Sequence, residues 1–288
     1  MIPAAGPHGG DGPRVSAALG IDVLDLSVSL NPVAPDVRAV VARHLDAVGS
    51  YPDPARATTA LAEAMNVDRD RLLLTNGGAE AIALVAAELG GRVAEPEFAL
   101  LPRTATGPRW RSNPNNPTGL LAAAHEEAGV WDEAFFPLAT GTWTRGDVGC
   151  VVVGSLTKVF ACPGLRLGYV VADDVDRVAR RQPEWSVNGF ASAALPDLLD
   201  GADLRGWHKQ IADLRGDLAN LLGPFRPLAS DAPWVLCSDA AGLRERLAPL
   251  GVLVRDCTNF GLPHHVRVGV PDEAGLERLE DALCRLEA

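Results

Sequence analysis

The chain has 288 residues, of which 47% are hydrophobic and 22% charged, and its formal net charge is -11 at pH 7. This composition fits a globular protein of one large domain or two modest ones, with a sizeable core. The chain has no basic stripe and no block of Lys and Arg that could neutralise a phosphate backbone, so we expect no nucleic-acid partner.

Cysteine usage and hydropathy indicate the compartment. An odd number of widely spaced cysteines without a CxxC pair argues against a disulfide framework and against a zinc site, so we expect no metal. No run approaches the ~18 continuous apolar residues of a membrane span, and the N-terminus lacks the apolar core of a signal peptide. We therefore expect a cytoplasmic protein without a membrane partner. The cysteines are Cys150, Cys162, Cys237, Cys257 and Cys284.

The N-terminal third of the chain alternates patterns typical of an α/β layer arrangement. The first 35 residues are rich in Gly and Pro around one hydrophobic piece, residues 23–27, which predicts an arm that wraps a folded body. Helical patterns follow at about 36–47 and 55–65. RLLLT, at 71–75, predicts a strand, and the NGGAEAIAL that follows predicts a glycine turn opening a helix.

The rest of the chain is less uniform. Residues 91–149 have short hydrophobic runs interrupted by Pro, Gly and Arg, and they predict no clear order of elements. Strands are predicted at 151–154 and 167–171, and an amphipathic helical pattern runs from about 196 to 222. The last 65 residues alternate strand-like runs at 234–237, 252–254 and 266–270 with helices at 241–247 and 273–287, as in a small α+β domain. We predict an N-terminal arm at 1–35 joining a small C-terminal domain at 199–288, and a large domain at 36–198.

A lysine stands where the predicted strand at 151–154 ends. The segment that begins at Ser155 reads SLTKVFACPGLRLGY. An isolated lysine at a strand end is usually a solvated surface residue. Here Ser155 offers a hydroxyl three residues before Lys158, and Arg166 offers a planar fork suited to phosphate eight residues after it.

The order SxTK and then PGLRLGY resembles the cofactor-lysine segment of fold-type I pyridoxal-phosphate enzymes, the class I/II aminotransferase superfamily. The resemblance implies that Lys158 forms a Schiff base with the aldehyde of pyridoxal 5'-phosphate, and that Ser155 and Arg166 hold its phosphate. It also implies an α/β large domain with a mostly parallel central sheet, a small-molecule amino acid substrate and a homodimer.

Two more motifs follow the order of this superfamily. Residues 113–119, NPNNPTG, match its NPxNPTG loop, which implies a hydrogen bond from Asn116 to the pyridine 3-oxygen and a cis peptide bond before Pro117. Residues 132–135, DEAF, resemble its DEA(Y/F) element, in which Asp132 would pair with the pyridine nitrogen and make the ring an electron sink. Phe135 stands where many relatives have a tyrosine that bonds the ring oxygen.

The remaining implied contacts lie at the two ends of the cofactor. At the turn before the helix, the backbone N-H groups of Gly78 and Ala79 would cradle the phosphate. Tyr51, in the sequence YPDP, would reach the cofactor phosphate of the neighbouring subunit. Arg267, in HHVRVGV, would clamp the substrate carboxylate. Further substrate contacts are implied for arm residues His8 and Asn31.

Three segments indicate a branch of the superfamily. HGGD at 8–11, LDLSVSLNP at 24–32 and VRDCTNF at 254–260 are similar to the L-threonine-O-3-phosphate decarboxylase branch, the cobalamin-pathway relatives of histidinol-phosphate aminotransferase. The likeness implies a phosphorylated amino acid substrate. The chain departs from the branch at Ser29, where the branch has asparagine.

A second departure concerns length. The spans 95–113 and 119–132 are short for the usual strand and helix units, so we expect a reduced central sheet. The aromatic residue that normally stacks on the pyridine ring falls in this region. The candidates for that position are Pro96, Phe98 and Trp110.

Three functions stay open at this point. Decarboxylation would break the bond from Cα to the substrate carboxylate, whereas transamination of the histidinol-phosphate type would break Cα-H, with Lys158 moving the proton. The sequence does not fix which bond stands perpendicular to the ring. The alternative from another class is a catalytically inactive protein that binds the cofactor or a partner.

Overall fold

A computed structural model describes residues 2–146 and 149–287. No helix within these ranges is both long enough and apolar enough to cross a bilayer. The α-helices are α1 Gly12–Leu19, α2 Val37–Ala42, α3 Ala55–Met65, α4 Gly78–Leu89, α5 Phe136–Thr140, α6 Leu156–Val159, α7 Asp176–Ala179, α8 Gly189–Asp200, α9 Leu204–Leu221, α10 Leu243–Leu247 and α11 Glu273–Glu287.

Three sheets contain the strands. The central five-stranded sheet has the order β2-β6-β5-β4-β3, a three-stranded sheet has the order β7-β10-β9, and β1 pairs in parallel with β8. The strands are β1 Leu24–Asp25, β2 Leu72–Asn76, β3 Trp110–Ser112, β4 Val130–Asp132, β5 Val151–Ser155, β6 Leu167–Val171, β7 Trp234–Cys237, β8 Val252–Leu253, β9 Arg255–Asp256 and β10 Val266–Gly269.

The central sheet is mixed. Strands β3, β4 and β5 pair in parallel, whereas β6 runs antiparallel to both of its neighbours, β2 and β5. Strands β2, β3, β4 and β5 therefore point the same way, and their carboxyl ends meet at one edge of the sheet. The start of β6 reaches that same edge, since Gly168 is the register partner of Ser155.

The central sheet also has few strands on the β3 side, as the sequence spacing predicted. Beyond β3 the described chain contributes a single parallel bridge, between Arg92 and Arg109. Trp110, fully buried, covers this edge and donates from Nε1 to the carbonyl of Gly90 at 2.9 Å. Between Gly119 and β4 the described residues form no helix or strand.

The arm and the C-terminal elements share a second core. Strand β1 of the arm pairs with β8, which attaches the arm to the C-terminal part of the chain. The β7-β10-β9 sheet packs with α9, α10 and α11 through buried apolar residues that include Leu218, Val235, Leu247, Val268 and Leu279. Helix α9 joins this core to the core of the central sheet, because its first turns, at Leu204 and Ile211, pack with the buried residues of that sheet. The domain limits at 35 and 198 stay a prediction.

One helix was not predicted from the sequence, and one local prediction needs correction. The arm contains a helix, α1, which starts next to a proline and ends at Gly20 in the left-handed region, with φ 69°. The predicted helical pattern at 196–222 is two helices, because the chain breaks after Asp200 and restarts with Asp203 as N-cap, whose side chain accepts from Gly206 N at 2.9 Å. These helix starts and ends depend on single residues, such as a proline, a glycine or an N-cap, which are easily overlooked beside a long apolar pattern.

Close packing at the start of β6 generates a test. A Cβ added at Gly168 would lie 2.4 Å from the backbone carbon of Gly77, whereas one added at Gly164 would have no atom within 4 Å. We expect Gly168→Ala to lower the free energy of unfolding by about 1–3 kcal/mol, as overpacking does, and Gly164→Ala to have little effect. Thermal denaturation of both variants measures the difference. Equal melting temperatures would contradict the close approach of β6 to the turn before α4.

Candidate active site

The edge where β2, β4, β5 and the start of β6 meet opens into a cavity of about 210 Å³. Ten of the twelve residues predicted from the sequence line it, and Tyr51 and Asn31 do not. The ten are His8, Gly78, Ala79, Asn116, Asp132, Phe135, Ser155, Lys158, Arg166 and Arg267. The cavity therefore brings together groups from the arm, the central sheet and the C-terminal sheet.

Lys158 lies on the short helix α6, directly after β5. Its Nζ is 5.9 Å from the centre of the Phe135 ring. Burial and, after it, the positive charges of Arg267 and Arg166 lower the pKa of Lys158 to about 8, against the opposing charge of Asp132. A pKa near neutrality provides a neutral amine, which is the form that attacks an aldehyde.

Asp132 ends β4 and is buried. Burial raises the pKa of Asp132 to about 7, although Ala134 N donates to its Oδ1 at 3.0 Å and the charge of Lys158 also favours the ionised form. The nearby carboxyl of Glu97 also raises the pKa of Asp132. A buried carboxylate at this position needs a cationic partner, which a protonated ring nitrogen would provide.

The turn between β2 and α4 forms a cradle for an anion. Gly77, with φ 79°, precedes the twelve-residue helix α4, whose N-terminus has no side-chain cap. A Cβ at Gly77 would lie 2.4 Å from Arg166 Nη2, and a Cβ at Gly78 would lie 3.1 Å from Ser155 Cβ. The free N-H groups of the first helical turn, with Arg166 and the Ser155 hydroxyl beside them, suit a phosphate dianion.

Arg267 faces this cradle from β10. Its Nη1 donates to Asn116 Oδ1 at 2.6 Å, and its guanidinium lies 4.8 Å from the centre of the Trp234 ring. The indole of Trp234 donates to the carbonyl of Pro117 at 2.9 Å, so the C-terminal sheet holds the 113–119 loop in place. Burial lowers the pKa of Arg267 to about 10, which leaves it cationic at neutral pH.

The predicted cis bond before Pro117 is wrong. Among the described residues the cis bonds precede Pro96 and Pro114. Any X-Pro bond has a weak trans preference, so the motif alone does not decide which of its two prolines is cis.

Two predicted site residues lie outside the cavity. Asn31 is buried behind Lys158, where its backbone N donates to the Lys158 carbonyl at 3.0 Å and its Nδ2 to the Val159 carbonyl at 2.9 Å. Asn31 thus fixes the helix that carries the lysine. Tyr51 is 78% exposed and packs on Trp185, with ring centres 4.6 Å apart.

Three of the cavity residues to which the sequence assigned no role have polar side chains with notable contacts. Arg255 belongs to the VRDCTNF segment, which the sequence singled out without a role for the arginine, and it donates to the carbonyls of Gly6 and Pro7. Thr157 Oγ1 lies 2.7 Å from Ser155 Oγ. The third is Ser112. Of the three stacking candidates, Phe98 lines the cavity and Pro96 and Trp110 do not.

Comparison with known proteins agrees with this geometry. Residues 111–283 match the family model described as aminotransferase class I and II. A histidinol-phosphate aminotransferase of Dechloromonas aromatica is 30% identical, with 91% of this chain and 90% of the relative covered. The chain belongs to this family. The threonine-phosphate decarboxylase of Salmonella typhimurium is also 30% identical, covering 96% of this chain and 95% of the relative.

A solved structure shows the same fold. The L-threonine-O-3-phosphate decarboxylase of Porphyromonas gingivalis superposes with a TM-score of 0.71 at 23% identity, over 100% of both chains. Membership in the aminotransferase family confirms the predicted fold, an enzyme of aminotransferase or decarboxylase type, and pyridoxal phosphate as the cofactor. The alignment with the Dechloromonas relative spans 334 positions, more than the length of this chain, so that relative has segments which this member lacks.

The lysines of this family member allow a test with an internal reference. Lys158 and Lys209 are the two lysines of the chain, and Lys209 is exposed. We expect reductive labelling of Lys158 by a small aldehyde to rise with pH and to be half-maximal near pH 8, because the pKa is lowered to about 8 and the neutral amine reacts. Peptide mass spectrometry follows both lysines in one sample. Identical pH profiles for the two lysines in the folded protein would contradict the lowered pKa.

Proposed function

We propose that this chain is a pyridoxal-phosphate-dependent enzyme acting on a phosphorylated amino acid, as a decarboxylase of the L-threonine-O-3-phosphate type. The pairing of two buried arginines on neighbouring strands is the observation that carries the proposal. Arg255 and Arg267 are register partners in the antiparallel pair β9-β10, and their side chains are 4% and 7% exposed. Both line the cavity.

Two like charges side by side in a buried sheet are unfavourable unless anions approach them. Within the described residues, the hydrogen bonds of these guanidiniums go to neutral oxygens, those of Gly6, Pro7 and Asn116. A substrate with both a carboxylate and a phosphate would bring one anion to each guanidinium, in addition to the charges of Asp11 and Asp256 that already act on Arg255. Arg166, which also lines the cavity, would serve the cofactor phosphate.

The residues present fit pyridoxal phosphate. Gly78, Ala79, Ser155 and Arg166 would hold its phosphate, and Asp132 would pair with its ring nitrogen. When bound, the cofactor supplies an electron sink for the carbanion that develops at the substrate Cα. Two features of one cavity suit it: the helix α4 N-terminus, which has no side-chain cap, and the buried Asp132, for which the described residues show no salt bridge.

The chain's own residues perform the remaining tasks. Lys158 Nζ would hold the cofactor through its aldehyde, and as a free amine it would hold the proton for the substrate Cα. Arg267 orients the substrate carboxylate, and Arg255 binds the substrate phosphate. His8 and Gly9, which belong to the arm that Arg255 holds, line the cavity and would cover the bound substrate.

Sequence features support the decarboxylase within the family. The arm segment HGGD and the segment that holds Arg255 are those similar to the threonine-phosphate decarboxylase branch. The Salmonella relative of that name covers slightly more of this chain than the aminotransferase of Dechloromonas does. A place in cobalamin biosynthesis follows from the same likeness and belongs to the proposal.

The proposal includes a homodimer in the cytoplasm. Leu45, Val48, Tyr51 and Trp185 are large apolar side chains with exposed fractions of 59–78%. Such a patch is typical of an interaction surface, and a second copy would cover it and bring Tyr51 to the neighbouring cofactor phosphate. The free thiols of Cys162, Cys237 and Cys257 suit a reducing compartment.

The reaction can be tested by product identity. Incubated with pyridoxal phosphate and O-phospho-L-threonine, the purified chain is expected to release carbon dioxide. Formation of glutamate from histidinol phosphate and 2-oxoglutarate would instead indicate the aminotransferase. A cofactor band without turnover of either substrate would indicate the binding protein.

Two variants serve as controls in this assay. Lys158→Ala should abolish turnover of any substrate. Arg255→Gln should raise KM for O-phospho-L-threonine by about tenfold or more, because a hydrogen bond between charged groups is lost. Preference for unphosphorylated threonine in the unaltered protein would contradict the assignment of Arg255.

The dimer can be tested at the exposed patch. Val48→Asp should convert a particle of twice 30.3 kDa to one of 30.3 kDa in sedimentation, because a charge buried at an interface without a partner is unfavourable. Leu228→Asp, at a residue 44% exposed beside the C-terminal sheet, is the matched control and should leave the mass unchanged. A monomeric unaltered protein would contradict the dimer.

A further inference from the structure

A second buried carboxyl group lies next to the proposed cofactor site. Glu97 is 2% exposed, in the loop between the Arg92 bridge and β3, and the roles described above do not use it. Its Oε1 accepts from Ser112 N at 3.0 Å, and its Oε2 accepts from Phe98 N at 3.1 Å and from the Ser112 hydroxyl. Three donors on one carboxyl group satisfy an ionised carboxylate and would conflict with an amide.

The Glu97 carboxylate acts on the cavity through Ser112. The Ser112 hydroxyl donates to Glu97 and accepts from Asn116 N at 2.8 Å. Asn116 in turn accepts from Arg267. A continuous chain of hydrogen bonds therefore runs from Glu97 to Asn116, which the resemblance places against the cofactor ring, and Phe98 beside Glu97 lines the same cavity.

Glu97 also contributes to the electrostatics of Asp132. Ser112, which carries the Glu97 hydrogen bonds, is the register partner of Asp132 in the parallel pair β3-β4. Among the described residues, the charges that act on these carboxyl groups are Arg111 on Glu97 and Lys158 on Asp132, and the titratable hydroxyl of the buried Tyr169 interacts with Asp132. Burial raises the pKa of Glu97, and its hydrogen bonds to Ser112 and Phe98 with the charge of Arg111 oppose that shift.

We propose that Glu97 is a positioning residue for the cofactor: its carboxylate holds Asn116 through Ser112 and places a second negative charge behind Asp132. This inference rests on the proposed function, because it concerns the same cofactor. The second charge favours the protonated, cationic form of the bound cofactor. Removing it should therefore shift the protonation midpoint of the bound cofactor to lower pH.

Three variants separate the two contributions. Glu97→Gln removes the charge and breaks the hydrogen-bond array. Ser112→Ala breaks the link to Asn116 and keeps the charge. Glu95→Gln is the matched control, because the Glu95 side chain is 55% exposed and pairs with Arg103 at 2.7 Å, and a glutamine there keeps an acceptor for Glu97 N, which donates to Glu95 Oε2 at 2.9 Å.

Each protein is titrated with pyridoxal phosphate, and its visible absorption is recorded against pH. We expect Glu97→Gln to weaken cofactor binding by about tenfold and to lower the pH midpoint of the visible band by roughly half a unit, a fraction of the effect of a carboxylate in direct contact. Ser112→Ala should weaken binding and leave the midpoint in place. Glu95→Gln should change neither.

Other outcomes would overturn the inference. A Glu97→Gln protein that matches the unaltered chain in affinity and midpoint would do so, as would an equal shift in Glu95→Gln. If Glu97→Gln does not fold, Glu97→Asp replaces it and should weaken binding while keeping the midpoint; a moved midpoint would contradict the role of the charge. An unaltered protein that gains no visible band would overturn the proposed function and this inference with it. A visible band whose affinity and pH midpoint are unchanged in Glu97→Gln would overturn the inference alone.

Discussion

The reversed direction of β6 is the constraint on which the site depends. Because β6 runs antiparallel to β2 and β5, its first residues lie beside the last residues of those strands, as the register of Gly168 with Ser155 shows. Arg166 thereby reaches the phosphate cradle that follows β2, and Lys158 leaves the end of β5 at the same edge. A strand β6 in the common direction would put Arg166 at the opposite edge of the sheet.

The second half of the site comes from a different core, and electrostatics explains why both halves are needed. The chain has a net charge of -11, yet Arg166, Arg255, Arg267 and Lys158 converge on one cavity in which Asp132 is the buried anion. Mutual repulsion and burial lower the pKa values of Lys158 and Arg267. The cavity is therefore prepared for anionic ligands that the protein itself does not supply.

The sequence predicts those parts of the structure that depend on local patterns. Helix α3 lies at 55–65 as predicted, and Lys158 follows β5 because a hydrophobic run and a small-residue turn specify both. The sequence does not reveal what depends on distant partners. Asn31 looks like an arm residue free to bind substrate until its bonds to the Lys158 segment are seen, and the pairing of Arg255 with Arg267 needs the register of two strands.

Glu97 belongs to the same class of long-range features, and it bears on how a shortened sheet keeps its site. The phosphate cradle follows β2, Lys158 follows β5 and Arg166 precedes β6, whereas the reduced side lies beyond β3, where the described chain adds only the Arg92 bridge. Ser112, which ends β3, and Asn116, which follows it, therefore lie on the side of the sheet that has fewer strands. The Glu97 carboxylate binds Ser112 directly and Asn116 through the Ser112 hydroxyl. In the role proposed for it, Glu97 would hold in place residues that further strands would otherwise support.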